Sequence, residues 1–230
     1  MAPPTTRSKQ SDRETRRAAT RDKLRRALQG FHEAGIHYTE VSVEKLSAAA
    51  DLTRTTFYVY FDDKVDLLVA WLEDVRAAAG SAPSGWTVRD RAPSRAQLRQ
   101  DVADALARYR PHTAVLAAAR DTALFELRAD AAYRAFVRSS IDDLADHIER
   151  GRHGGWIHPD LPAIEVATWL ASIVHRTLSA TPPLDEDAYM DRIDDYTDIL
   201  WNTLYRGLAG PGGSAPGVVQ IPTQSRPRPK

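Results

Sequence analysis

Apolar side chains recur along this chain at intervals of three and four residues, with polar ones filling the gaps. Leu24, Leu28 and Phe31 open the series. Leu67, Leu68, Trp71, Leu72 and Val75 form a second stripe, and Leu98, Val102, Ala105, Leu106 and Tyr109 a third. Ala167, Leu170, Val174 and Leu178 follow, then Tyr189, Ile193, Tyr196, Leu200 and Leu204. Such spacing lays one face of a helix against a core. No turn-bounded segment alternates with the period of two that a half-buried strand shows. The spacing predicts an all-α protein of about nine helices, three short ones before residue 61 and longer ones after it.

The breaks between stripes are marked by residues that stop helices. Gly35 suits the position just past a helix end. Pro111 suits a helix start, where its missing N–H costs little. Ser81–Pro93, Gly151–Pro162 and Thr181–Pro183 read as loops, and Asp185–Asp187 bring charge to the N-terminus of the last helix. Met1–Ser11 has no apolar period and reads as a flexible arm, while Gly207–Lys230, with five Gly and five Pro, reads as a disordered tail. The expected organisation is an arm over 1–11, a head over 12–61, a body over 62–206 and a tail over 207–230.

Residues 42–60 carry the most information. Ser42 can cap a short helix that buries Val43, Leu46 and Ala50. Asp51 tolerates the left-handed backbone of a tight turn. Leu52 points inward, and Thr53 can cap a second short helix, Arg54–Tyr60. Helix, tight turn and capped helix make a helix-turn-helix, whose second helix enters the DNA major groove. Arg54, Thr55 and Thr56 occupy its first turn, where an Arg can pair with guanine and a Thr methyl can touch thymine. Tyr58, Tyr60 and Lys64 offer donors to phosphate oxygens, and Phe57 and Phe61 anchor the helix to a small core. The same spacing also fits two short helices of an ordinary bundle.

Charge at first argues against nucleic acid, because 31 basic residues balance 31 acidic ones. The distribution reverses that inference. Residues 1–61 carry a net charge of +4 and the remaining 169 carry −4, with nine basic and three acidic side chains in Arg7–Arg26 alone. No apolar run is long enough to span a bilayer. Met1–Ser11 lacks the apolar stretch of a signal peptide. The absence of Cys removes thiolate chemistry and fits a cytoplasmic protein. None of the nucleophile, phosphate-loop or zinc-hydrolase motifs is present, so neither a catalytic residue nor a cofactor is expected. His147, His153, His158 and Asp160 have no metal-ligand spacing, and no metal site is expected. Asp191, Asp194, Asp195 and Asp198 read as a solvated helix face.

Thr20–Leu68 resembles the DNA-binding domain of the TetR family of bacterial repressors. The likeness rests on Phe-x-x-x-Gly (Phe31–Gly35), Ser42-Val43, Leu-Ser-x-x-Ala (Leu46–Ala50), Thr-x-x-Thr-Phe-Tyr-x-Tyr-Phe (Thr53–Phe61) and Lys-x-x-Leu-Leu (Lys64–Leu68). The family usually has Gly in the turn, where this chain has Asp51. The resemblance implies that Thr53, Arg54, Thr55, Thr56 and Tyr58 face the groove and its flanking phosphates. It also implies that Tyr60 and Lys64 clamp the backbone, and that Thr20 and Arg21 sit at a helix start near phosphate. Arg7–Arg17 becomes a candidate minor-groove arm. The resemblance further implies a homodimer joined through helices at about 163–180 and 185–206, a palindromic operator, and a repressor released by an apolar small molecule. The helix starting near Asp62 would join head to body.

The C-terminal half is also similar to the mycobacterial ethionamide-resistance repressor, through Leu161-Pro162-Ala163, Glu165, Ala167-Thr168, Leu170, Arg176-Thr177-Leu178, Trp201 and Tyr205. That likeness makes Trp201 a pocket-lining candidate. Tyr109, Phe125, Phe136, Trp169 and His175 are further ligand candidates by residue type alone, and each equally suits a core or interface position. A competing expectation is a helical small-molecule-binding or interaction protein with no DNA-binding function.

Overall fold

The computed structural model describes residues 6–80, 87–180 and 183–206. Among them are nine α-helices and no strand: α1 (Thr6–Glu33), α2 (Val43–Ala49), α3 (Arg54–Tyr60), α4 (Lys64–Gly80), α5 (Arg95–Tyr109), α6 (Thr113–Ala123), α7 (Leu127–His153), α8 (Ala163–Leu178) and α9 (Glu186–Leu200). A single π-turn, Trp201–Tyr205, extends α9. The first helix is 28 residues long rather than short. It begins at Thr6, inside the stretch expected to be an arm. The expected tail over 207–230 and much of the loop over 81–93 lie outside the described residues.

Helix ends fall where local chemistry sets them. Gly35 takes φ +73°, its N–H bonds the His32 carbonyl at 3.0 Å, and the Ile36 N–H bonds that of Phe31 at 2.9 Å. Paired bonds of this kind satisfy carbonyls that a helix end leaves open. Further along the chain, α7 runs two residues past Gly151. It closes with the same device, as Gly155 at φ +71° turns the chain and Trp156 N–H bonds the Gly151 carbonyl at 2.9 Å. The Asp63 carboxylate caps α4 by accepting from Asp66 N–H at 2.8 Å.

One cluster of buried side chains runs from head to body. In the head it holds Leu24, Leu28, Leu46, Phe57 and Phe61; α4 carries it onward through Leu67, Leu68, Trp71 and Val75. Trp71 ties the two regions together. Its indole N–H donates to the Arg21 carbonyl at 3.1 Å, and its ring meets Tyr38 edge-on at 6.0 Å. The body is centred on α6, which buries Ala114 through Ala119 without interruption and touches α1, α4, α7 and α8. An all-round apolar helix belongs in the middle of a bundle.

The acidic row on α9 is not simply solvated. Arg99 bonds Asp194 at 2.6 Å, Arg95 reaches Asp198 and Arg110 reaches Glu186, so three basic residues stitch α5 and its C-terminal extension to α9. The sequence presents these carboxylates as a surface stripe because their partners lie about a hundred positions away.

Candidate nucleic-acid interface and internal cavity

The helix-turn-helix is built from two caps and one strained residue. Ser42 Oγ accepts from Lys45 N–H at 3.1 Å and Thr53 Oγ1 from Thr56 N–H at 3.0 Å. Between them Asp51 adopts φ +54°, the left-handed backbone that lets α2 and α3 fold back on each other. Phe57 and Phe61 are fully buried one turn apart, which fixes the roll of α3 about its axis. That roll leaves Arg54, Thr55 and Tyr58 outward, Tyr58 being 46% exposed. Arg54 forms no ion pair among the described residues; its guanidinium lies 5.6 Å from the Tyr58 ring centre. The hydroxyls of Thr53 and Thr56 bond each other at 2.9 Å, so these two residues are committed first to capping.

Other residues expected at DNA are placed differently. Thr20 is buried in the middle of α1, not at a helix start. Arg21, one residue on, grips Asp74 of α4 at 2.7 and 2.8 Å. Lys64 turns inward. Its ammonium donates to the carbonyls of Tyr38 at 2.6 Å and Val41 at 2.5 Å and sits 4.2 Å from the Tyr38 ring centre. Burial lowers its pKa from the ordinary lysine value. Lys64 therefore braces the head instead of presenting itself to phosphate. Tyr60 is half-buried against the core. Arg17 leans over the Phe61 ring at 5.2 Å, whereas Arg13, Arg16 and Lys45 are exposed.

The body holds a cavity of about 150 Å³ between α5, α7, α8 and α9. Tyr109, Ser140, Leu144, Leu170, His175 and Leu178 contribute to its wall, joined by Tyr196 and Ile199. Two of the expected ligand residues, Tyr109 and His175, are on this wall. Phe136 stands behind it, buried, meeting His175 edge-on at 5.4 Å and Tyr109 at 6.3 Å. Phe125 is not near: it is 79% exposed in the turn between α6 and α7. Trp169 is 60% exposed on the outer face of α8. Trp201 packs on Tyr205 at 5.7 Å and is absent from the wall, although its neighbours Ile199 and Leu200 are on it. Helical periodicity marks a residue as inward or outward only if its helix has one covered face, and α8 and α9 do not declare which face that is.

Burial keeps His175 uncharged, with its pKa lowered to about 4, and its Nδ1 has no hydrogen-bond partner among the described residues. His147 is likewise buried and lowered to about 4, its Nε2 against Tyr205 Oη at 2.8 Å and its ring against Trp156. His153 by contrast lies on the surface, so the histidines of this region are not gathered into one site.

One set of contacts has no local signal in the sequence. His37, just after α1, meets Asp121 of α6 at 2.6 Å; Asp121 also holds Arg120 at 2.7 Å. Arg120 in turn donates to Ser179 Oγ at 3.2 Å, and Ser179 donates to the His175 carbonyl at 2.7 Å. A continuous polar chain thus runs from the head to the main chain of a cavity residue. Arg128 at the start of α7 adds a second tie, to Asp63 ahead of α4.

With this geometry in place, comparison with known proteins gives a consistent class. Residues 24–71 match the model of the bacterial regulatory proteins of the tetR family. Solved structures share the fold at low identity. Salmonella enterica GusR is 18% identical with a TM-score of 0.58, over 81% of this chain and 95% of that one. SmeT, the repressor of the Stenotrophomonas maltophilia multidrug efflux pump SmeDEF, is 21% identical with a TM-score of 0.53, over 84% and 94%. A TetR family transcription regulator from Marinobacter aquaeolei VT8 is 17% identical with a TM-score of 0.54, over 84% and 98%. No curated protein matches the sequence. Residues 24–71 thus belong to the tetR family of bacterial regulatory proteins, and the chain as a whole shares the fold of solved members. Among the described residues no helix is long and apolar enough to cross a membrane.

Proposed function

We propose that this chain is a ligand-responsive transcriptional repressor, not an enzyme, that binds a palindromic operator as a homodimer and is released by an apolar small molecule. It would work in the bacterial cytoplasm, on the nucleoid when bound to DNA. The observation that carries this is α3: a capped helix locked by Phe57 and Phe61, with Arg54, Thr55 and Tyr58 directed away from the protein. The family match over residues 24–71 supports DNA as the partner. The sign of regulation follows SmeT, which is a repressor.

The homodimer is supported by α8. Its outer face exposes Ile164 and Trp169 while its inner face buries Ala167, Leu170 and Leu178. A second copy on that face would set two α3 helices about one DNA turn, roughly 34 Å, apart. Arg54 would read a base edge, and Thr55 and Tyr58 would contact base methyl groups or phosphate. Thr53 and Thr56 would order the N-terminus of α3, where main-chain N–H groups favour an anion.

Release requires that the effector bind the DNA-incompetent arrangement of the heads more tightly than the competent one. A 100-fold preference supplies about 2.7 kcal/mol. The chain His37–Asp121–Arg120–Ser179 is the contact through which a shift at His175 would reach the head.

The test is a mobility-shift titration on the DNA flanking the protein's own gene. Arg54→Ala and Tyr58→Phe should each weaken binding by about tenfold or more, with Arg54→Ala also relaxing sequence preference, and neither should lower the melting temperature. Unchanged affinity in both variants would remove α3 as the reading helix. Absence of any DNA binding, with small-molecule binding intact, would leave a helical small-molecule-binding protein.

A further inference from the structure

The cavity wall has a definite chemistry. Its apolar part comes from Leu144, Leu170, Val174, Leu178 and Ile199. Its volume, about 150 Å³, is that of a cavity able to hold one benzene ring. Two tyrosine hydroxyls on the wall are already engaged: Tyr196 donates to the Ile173 carbonyl at 3.0 Å and pairs with the Thr177 hydroxyl, and Tyr109 bonds Ser140. His175 differs. It is 6% exposed, it belongs to the wall, and its Nδ1 lacks a partner among the described residues. Nδ1 is itself sealed off from the cavity, so a ligand hydroxyl meets the ring by a turn of the imidazole about its side-chain bonds, and that pairing recovers the cost of a buried polar atom left unpaired.

Charge narrows the class. Buried His175 is neutral, so it attracts no anion. Among the described residues the one formally charged side chain on the wall is Asp143, which is exposed and so screened by water. It repels carboxylates and is a weak partner for an ammonium that must shed its own water. A neutral imidazole keeps one nitrogen as an acceptor. A phenolic hydroxyl is a stronger donor to it than an alcohol. The Tyr109 ring on the wall also suits an aromatic partner.

We propose that the cavity binds an uncharged single-ring phenol, its hydroxyl hydrogen-bonded to the His175 imidazole and its ring packed between Leu144, Leu170 and Leu178. This rests on the cavity being the effector site, and the two ideas separate experimentally.

Binding of phenol, toluene, benzoate and benzylamine to the full-length protein is measured by calorimetry. Phenol should bind at least tenfold more tightly than toluene, with benzoate and benzylamine weaker than both. His175→Phe should reduce the phenol preference to within about twofold of toluene, and Leu170→Trp should abolish binding of both. Where a variant fails to fold, ¹⁵N-histidine spectra of the unaltered protein replace it: saturating phenol should move the ring nitrogens of one buried histidine, and toluene should not. Equal affinity for phenol and toluene, preference for an ion, a phenol affinity unchanged in His175→Phe, or unmoved nitrogens each overturn the phenol assignment. A mobility shift with and without phenol is read separately. Phenol that binds through His175 yet leaves operator affinity unchanged would refute the effector role while upholding the site.

Discussion

Asp51 shows how much one residue's backbone can specify. At φ +54° it occupies a conformation in which Cβ crowds the backbone. Asp bears this better than most residues, but Gly bears it with no such crowding. The exposed Asp51 side chain forms no hydrogen bond or ion pair among the described residues that Gly would forfeit. Asp51→Gly should therefore stabilise the protein by roughly 0.5–1 kcal/mol, read as a rise in melting temperature with unaltered DNA affinity. A fall would mean that the carboxylate has a structural role in the turn.

His147 and His175 make an opposite demand. Each has its pKa lowered by burial from 6.5 to about 4, so the folded state holds fewer protons than the unfolded chain between those values. Their contribution is complete above about pH 6.5 and is lost as pH falls toward 4, by up to about 3 kcal/mol for each ring. Thermal unfolding followed from pH 7.5 to 4.5 should show a steep loss below 6.5, shallower in His175→Phe. A melting temperature flat across this range would show that neither ring is buried uncharged.

Among the elements, α8 faces two ways. Ala163, Ala167, Leu170, Ala171, His175 and Leu178 form its inner stripe, whereas Ile164, Thr168, Trp169 and Ser172 lie outside. A Trp that is 60% exposed near the middle of an amphipathic helix marks a surface suited to a partner. Trp169→Glu should convert a dimer to a monomer in sedimentation and weaken operator binding by about 100-fold, with the helical circular-dichroism signal preserved. A dimer that survives the substitution would move the interface off this face. The chain from His37 to Ser179 operates at the same scale: α6 is the buried middle of the body, and it touches both the head and the end of α8.

For the whole molecule, net charge alone misleads. The +4 over residues 1–61 and the −4 over the rest put attraction at one end and repulsion over the body. Exposed Arg13, Arg16, Lys45 and Arg54 belong to the attractive end. Two copies neutralising four to eight phosphates would give log K against log salt a slope of roughly −4 to −7, at about −0.9 per phosphate. A salt titration with a slope near zero would count against DNA as the partner.

The sequence by itself determined the helices, their caps and the helix-turn-helix, because those depend on interactions three or four residues apart. Ser42 with Lys45, Thr53 with Thr56, and Phe57 with Phe61 are all of this kind. Only the tertiary structure decided which side chains Lys64, Phe125, Trp169 and Trp201 would meet, and which helices would enclose a cavity. Lys64 looks like a phosphate ligand until α4 brings it to carbonyls 23 and 26 positions away. His37 and Asp121 are 84 positions apart. A periodic stripe records that a face is covered, and it carries no trace of what covers it; that depends on how the helices pack.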